Sequence, residues 1–210
     1  MDLQKEIYLI RHGETEYNRM GRIQGSGIDA PLNETGKKQA IAFYNSYCHI
    51  LFDKIYVSAL QRSWQTVEAF AGDGVPIEKY VGLNEISWGT FEDKEVGEFD
   101  REYYHSLISS WKNGNLDRRI YGGESPLDVM ERQKPVLDLI FSRPEEKKIL
   151  ICMHGRAMRI FLCLLMKKPV HEMEDFQHNN SGLYHIYIQS NGSITLNKEN
   201  CVAHLGGLED

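Results

Sequence analysis

Two histidines in this chain stand in the same local setting. Arg11, His12 and Gly13 close the apolar run of YLIRHG, and His154 with Gly155 closes that of ILICMHG. A buried strand that ends in imidazole and glycine brings a reactive ring to the edge of a sheet, and the glycine lets backbone approach a ligand closely. A third apolar run, KIYVS, leads into SALQRSWQT and places Arg62 one turn into a helix. Taken singly, Arg11 or Arg62 reads as a solvated charge and either histidine as a structural one. Together they bring two guanidinium and two imidazole groups to one rim, a cradle for a tetrahedral dianion. Guanidinium gives bidentate, permanently charged hydrogen bonds, so the matching ligand is phosphate.

The elements that must position these groups are legible in the same pattern. Glu6–Ile10, Lys54–Ser58 and Ile149–Met153 are short, nearly continuous apolar runs, as in parallel strands buried on both faces. Helices follow. Asn33 caps one whose apolar residues Ala40, Phe43, Tyr44, Tyr47, Ile50 and Leu51 recur at helical spacing. A second covers Leu60–Phe70. A third starts at Ser125 with Pro126 first and Asp128 in the capping position, and Pro135 is expected to kink it. A fourth, Arg156–Met166, opens directly after His154 and Gly155. Leu183, His185 and Tyr187 alternate along a strand that turns through Asn191 and Gly192 into Ile194–Leu196, a hairpin. The fold class is therefore α/β: a three-layer sandwich, mostly parallel, flanked by helices, with an antiparallel edge hairpin. In parallel sheets ligands bind beyond the carboxyl ends of the strands, which is where both histidines fall. Segment 87–121, rich in aromatics and charges, reads as a short helical lid inserted in a single domain spanning 1–210.

Composition narrows the classes. With 24 Lys and Arg against 30 Asp and Glu the formal charge is −6, against a nucleic-acid binder, which needs a net basic face. Asp2, Lys5 and Glu6 interrupt any signal-peptide core, and the apolar stretch Ile160–Met166 is too short to span a bilayer. Cys48, Cys152, Cys163 and Cys201 show no paired spacing, so neither a zinc site nor a disulfide framework is expected, and a cytoplasmic location is.

Blocks of the sequence, taken in order, resemble the histidine phosphatase superfamily in its phosphoglycerate-mutase-like branch. LIRHGETEYN is similar to the block that carries the phosphorylated histidine, and QGSGIDAPLNETGKKQA to the one after it. VSALQRSWQTVEAF, GLNEISWGTFED, YGGES and MHGRAMR resemble later blocks. The resemblance implies that His12 is the nucleophile, that Arg11, Arg62 and His154 hold the phosphoryl oxygens, and that Asn18, Gln24, Gly25 and Gly155 line the substrate pocket. It implies that Glu85 gives a proton to the leaving alcohol and then activates water, a task for which burial and a neighbouring dianion favour the protonated carboxyl. No metal or other cofactor is needed, because arginines take the cation's place.

The same machinery serves a hydrolase, which admits water to the phosphohistidine, and a mutase, which returns the phosphoryl group to another hydroxyl. The short excursion after the acidic block favours the hydrolase acting on a small phosphorylated metabolite, while Arg118 and Arg119 resemble a mutase's carboxylate-binding pair. A non-catalytic phospho-ligand binder is the third possibility, disfavoured because His12, Glu85 and His154 are all present. Two departures stand out: Asp93 replaces a glycine usual after the acidic block, and Arg156, rather than a small residue, follows Gly155.

Overall fold

A computed structural model gives the chain one six-stranded sheet with strand order β3-β2-β4-β1-β5-β6. The structure describes residues 3–94 and 97–208, with 98–100 as backbone only. In chain order the elements are β1 (Leu3–Arg11), a single-turn helix α1 (Glu16–Arg19), α2 (Glu34–Tyr47), β2 (Lys54–Ser58), α3 (Gln61–Gly72) and β3 (Ile77–Tyr80). Then come α4 (Glu98–Lys112), α5 (Pro126–Phe141), β4 (Lys148–Met153), α6 (Gly155–Leu165), β5 (Leu183–Gln189) and β6 (Ile194–Cys201). β1, β2, β3 and β4 are mutually parallel; β5 runs antiparallel to β1, and β6 to β5. The expected sandwich and edge hairpin are present. Edge strand β3 carries no continuous apolar run, and that is why the sequence pattern passed over it.

Alternation along the strands divides the core into two layers. Tyr8, Ile10, Ile55, Val57, Leu150 and Cys152 face Phe43 and Tyr47 of α2 and Val67 and Phe70 of α3. Ile7, Leu9, Tyr56, Ile149, Ile151 and Met153 face α5 and α6, through Val129, Ile140, Met158 and Phe161. Each aliphatic or phenyl side chain buried this way contributes about 1.5–3 kcal/mol, which fixes the register of the strands that end at the site. Trp88 and Trp111 of the expected lid stack at 5.8 Å and Tyr104 meets Trp88 at 5.3 Å. These rings join the α5–α6 layer instead of forming a separate small core. Phe99 lies outside the described side chains.

The helix starts are built as the sequence predicts. Asn33 Oδ1 accepts from Gly36 N at 2.8 Å, and Ser125 and Asp128 form a reciprocal capping box. α5 continues through Pro135 to Phe141, without the break that a proline in a helix interior commonly causes. No described helix is long and apolar enough to cross a membrane.

Candidate active site

Strand register brings the two histidines together. Arg11 pairs with Met153 across β1 and β4, and His12 N donates to Met153 O at 3.0 Å, so the next residue on each strand is a histidine. Their rings lie 5.0 Å apart, both buried. β2 lies on the other side of β4 and ends at Ser58, and α3 starts three residues later, which carries Arg62 to the same place.

The partners set the tautomers. A carbonyl only accepts, so His12 Nδ1, 2.6 Å from Gly13 O, carries the proton of the neutral ring, and Nε2 keeps its lone pair. A guanidinium only donates, so His154 Nδ1 accepts from Arg62 Nε at 3.2 Å, and its Nε2–H donates to Ser58 Oγ at 2.7 Å. Burial, then the positive charges of Arg62 and Arg11, hold His12 well below the ordinary imidazole value. Burial and Arg62 do the same to His154. Both rings are therefore neutral in a site dense with positive charge.

Arg62 is fully buried, donating from Nη1 to Ile28 O at 2.6 Å and from Nη2 to Gly25 O at 3.2 Å. Burial lowers it to about 10, which leaves it charged at neutral pH. Arg11 Nη1 donates to His178 O at 2.6 Å, whereas Arg11 Nε is a buried donor with no partner among the described residues. Gln24 adds a second such donor: its Oε1 accepts from Thr15 Oγ1 at 2.8 Å, and its buried Nε2 has no partner. Asn18 Oδ1 is occupied by Thr15 N and Asn180 Nδ2, which leaves its amide NH2 as the end available for donation. Buried donors without acceptors are costly in a folded protein, and two of those found, Arg11 Nε and Gln24 Nε2, belong to residues expected at the site.

Glu85 sits in the loop after β3. Its Oε1 accepts from Ile86 N at 2.9 Å and Ala157 N at 2.8 Å, and its Oε2 from Arg156 N at 3.1 Å. The carboxylate thus caps α6, whose own N-cap, His154, makes no side-chain cap bond. Its negative charge supports the charged forms of Arg11 and Arg62.

Two glycines are required by close approach. A Cβ on Gly25 would come within 2.1 Å of Glu92 Oε1 and 2.7 Å of Ile86 O, and one on Gly155 within 2.4 Å of His178 Cδ2. The nine residues expected at the site thus come from β1, α1, the loop at 24–25, α3, the loop at 85 and the β4–α6 junction, and the contacts above link them.

Other residues lie beyond the sequence reading. Arg132 of α5 donates to Gly82 O at 2.8 Å and Glu85 O at 3.0 Å, holding the Glu85 loop from behind. Ser58 anchors His154, and Asn180 Nδ2 donates to His12 O at 3.1 Å. Glu92 accepts from Trp88 N at 2.8 Å, and burial raises its carboxyl. Ser58 was visible as the last residue of a strand that leads to Arg62; Arg132 looks like any solvated helix arginine.

Arg156 turns away from the rim: it pairs with Glu174 and its guanidinium lies 5.6 Å from the Trp111 ring. Arg118 donates to Ser106 and covers Tyr103, and Arg119 pairs with Asp128 at 2.6 Å.

Comparison with known proteins decides the family. The family model for the histidine phosphatase superfamily (branch 1) matches residues 7–201. The chain belongs to the histidine phosphatase superfamily. It is 33% identical over 171 residues to 6-phosphofructo-2-kinase/fructose-2,6-bisphosphatase 1 of Rattus norvegicus, matching 80% of this chain but only 34% of that protein's length. Phosphoserine phosphatase 1 of Hydrogenobacter thermophilus is 29% identical, with 96% of this chain and 94% of that one covered. A probable phosphoglycerate mutase, GpmB of Erwinia tasmaniensis, is 30% identical over 78% of this chain and 76% of its own. Among solved structures, the alpha-ribazole phosphatase from Shigella flexneri shares the fold with a TM-score of 0.81 at 24% identity, covering 94% of this chain and 97% of that one. The blocks on which the resemblance rested thus belong to a histidine phosphatase superfamily chain with mutase-like relatives.

Proposed function

We propose that this chain is a metal-independent phosphomonoester hydrolase that acts on a small phosphorylated metabolite through a phosphohistidine on His12. The observation that carries the reading is the neutral His12 ring with Nδ1–H committed to Gly13 O, which leaves Nε2 free to attack. Arg62 and Arg11 act on this ring through their charge, and Arg11 Nε and Gln24 Nε2 are buried donors without a partner among the described residues, all suited to phosphoryl oxygens.

In the first step His12 Nε2 forms a bond to phosphorus as the ester P–O bond breaks, and the proton of Glu85 goes to the departing alkoxide. In the second, the Glu85 carboxylate takes a proton from water, whose oxygen bonds to phosphorus as P–N breaks, returning neutral His12 and phosphate. In the free protein Glu85 accepts from three backbone N–H groups; a bound phosphate dianion makes a second anion beside it unfavourable, so Glu85 takes up one proton from solvent as the substrate binds. Asn18, Gln24, Gly25 and Gly155 line the pocket, segment 87–121 serves as its lid, and residues 1–210 act as one unit.

The phosphatase relative that spans nearly the whole chain supports hydrolysis. A mutase is the second reading, supported by the GpmB similarity. Arg119 pairs with Asp128, and Arg118 donates to Ser106 and covers Tyr103, so a mutase that used this pair for a substrate carboxylate would have to exchange those contacts first. The test is phosphate release from a panel of phosphomonoesters in excess chelator, by wild type and His12→Ala. Chelator-resistant release that is lost in the variant is the expected result; release that survives His12→Ala, or isomerisation of 3-phosphoglycerate without release, would overturn the proposal.

A further inference from the structure

The loop that leads into β5 grips the main chain of the nucleophile. Arg11 Nη1 donates to His178 O at 2.6 Å, and Arg11 N to Gly182 O at 3.3 Å. His12 O accepts from Ser181 N at 3.3 Å and from Asn180 Nδ2 at 3.1 Å. The loop is itself held from β6. Asn200 Oδ1 accepts from Asn179 N at 2.8 Å, and Asn200 Nδ2 donates to Asn179 Oδ1 at 3.1 Å. Gly182 has no room for a side chain, since a Cβ there would come within 2.2 Å of Asn200 Oδ1. Ser181 is buried with φ of 54°, a left-handed conformation uncommon outside glycine and kept where the surroundings demand that backbone shape. Asn180 therefore reaches His12 from a turn that is fixed on both sides.

One amide then serves two acceptors. Asn180 Nδ2 carries two hydrogens, and its partners are His12 O at 3.1 Å and Asn18 Oδ1 at 3.0 Å. The two acceptors differ in what else holds them. His12 O is main chain and keeps Ser181 N. Asn18 Oδ1 belongs to a side chain of the single-turn helix α1, and its other partner is Thr15 N at 3.2 Å. A side-chain amide has an oxygen end that repels an anion and an NH2 end that attracts one, and half a turn about its last bond exchanges them. Two donors on the Asn18 oxygen leave the NH2 end for a ligand; a single donor at 3.2 Å holds that orientation less firmly.

We infer that Asn180 is a positioning residue that sets the orientation of the Asn18 amide, so that Asn18 presents its NH2 and not its oxygen to the phosphoryl group. The same Asn180 amide ties that donor to the main chain of the nucleophile. The inference rests on the hydrolase reading above, with Asn18 at the pocket. It gives the edge hairpin, through Asn200 and the loop before β5, a share in substrate binding.

A double-mutant cycle tests it. Affinity for inorganic phosphate is measured by calorimetry, beside turnover of p-nitrophenyl phosphate, for wild type, Asn180→Ala, Asn18→Ala and the double variant. Asn18→Ala removes a hydrogen bond to a charged group and is expected to weaken phosphate binding about tenfold or more. Asn180→Ala is expected to weaken it about fivefold or more in the wild-type background. In the Asn18→Ala background the same substitution should add less than about twofold, because the amide it orients is gone. Asn180→Leu keeps the side-chain volume without a donor and is expected to match Asn180→Ala, whereas a residue that only fills space in the loop would be rescued by leucine. Unchanged phosphate affinity in Asn180→Ala, rescue by leucine, an undiminished effect in the Asn18→Ala background, or an active wild type that binds no phosphate would overturn the inference and leave the hydrolase reading intact. A wild type that neither binds phosphate nor releases it from p-nitrophenyl phosphate would overturn the hydrolase reading and the inference with it.

Discussion

His12 Nδ1 donates to Gly13 O at 2.6 Å, and this single bond decides which nitrogen is the nucleophile. Burial and the two arginines then keep the ring unprotonated, because a third positive charge in the same place is unfavourable. An imidazole in the free protein is therefore expected to stay neutral well below the ordinary value near 6.5. In an NMR titration of labelled histidines, the His12 resonances should not move between about pH 7 and 5. Titration of His12 near 6.5 would mean that the arginines do not act on it. Glu85 has two duties, capping α6 and moving the proton, and Glu85→Gln separates them. The amide retains one acceptor but turns an NH2 toward a backbone N–H, so a stability loss of about 1 kcal/mol is expected from the damaged cap. Turnover of alkyl phosphates should fall about 100-fold or more, and that of an aryl phosphate, whose leaving group needs little protonation, far less. Equal losses on both would remove Glu85 from the proton-transfer step.

At the scale of elements the site depends on a loop held from the far side. Arg132 reaches from α5 to Gly82 O and Glu85 O, and with Glu124 it forms an ion pair whose carboxylate also accepts from Ser87 N at 2.9 Å. The main chain on both sides of Glu85 is thereby clamped to a helix. Arg132→Ala should cost about 1–3 kcal/mol in stability, because it leaves partly buried carbonyls without donors. It should also lower the ratio of alkyl to aryl phosphate turnover by misplacing Glu85, an effect that a merely structural residue would not produce. Arg132→Lys, which keeps the charge but not the fork, should restore stability better than that ratio. This clamp was not legible in the sequence: a helix arginine carries no sign of what it will touch after folding. Strands β1, β2 and β4 were legible because burial on both faces leaves an unbroken apolar run. The short edge strand β3 has no such run, although it delivers the loop that carries Glu85. That Arg11–His12 and His154 share one rim was legible from the strand endings; their 5.0 Å ring contact follows from a parallel register that only the folded sheet supplies.

For the whole molecule the consequence is a link between the site and acid stability. His12 and His154 are held neutral by burial first and by arginine charges second, and His178 is pushed to about 2 by burial with Arg11 and Arg159 close by. A histidine whose pKa is depressed in the fold binds fewer protons there than in the unfolded chain. Stability is then complete above the unfolded value near 6.5 and is lost as pH falls below it. Each such ring withdraws roughly 2 kcal/mol between pH 7 and 5 once the unfolded chain is protonated. Glu92, whose carboxyl burial raises, works in the opposite direction, and the depressed Glu78, at about 2, adds its share only at lower pH. Urea midpoints measured from pH 8 to 5 should therefore stay level down to about 6.5 and then decline steeply. Inorganic phosphate or vanadate should recover part of the loss, because an anion in the cradle offsets the charges of Arg11 and Arg62 and makes protonated imidazole less unfavourable. A midpoint that is flat across this range, or a decline that no oxyanion reduces, would mean that the buried histidines and the arginine cradle are not the coupled unit that their geometry implies.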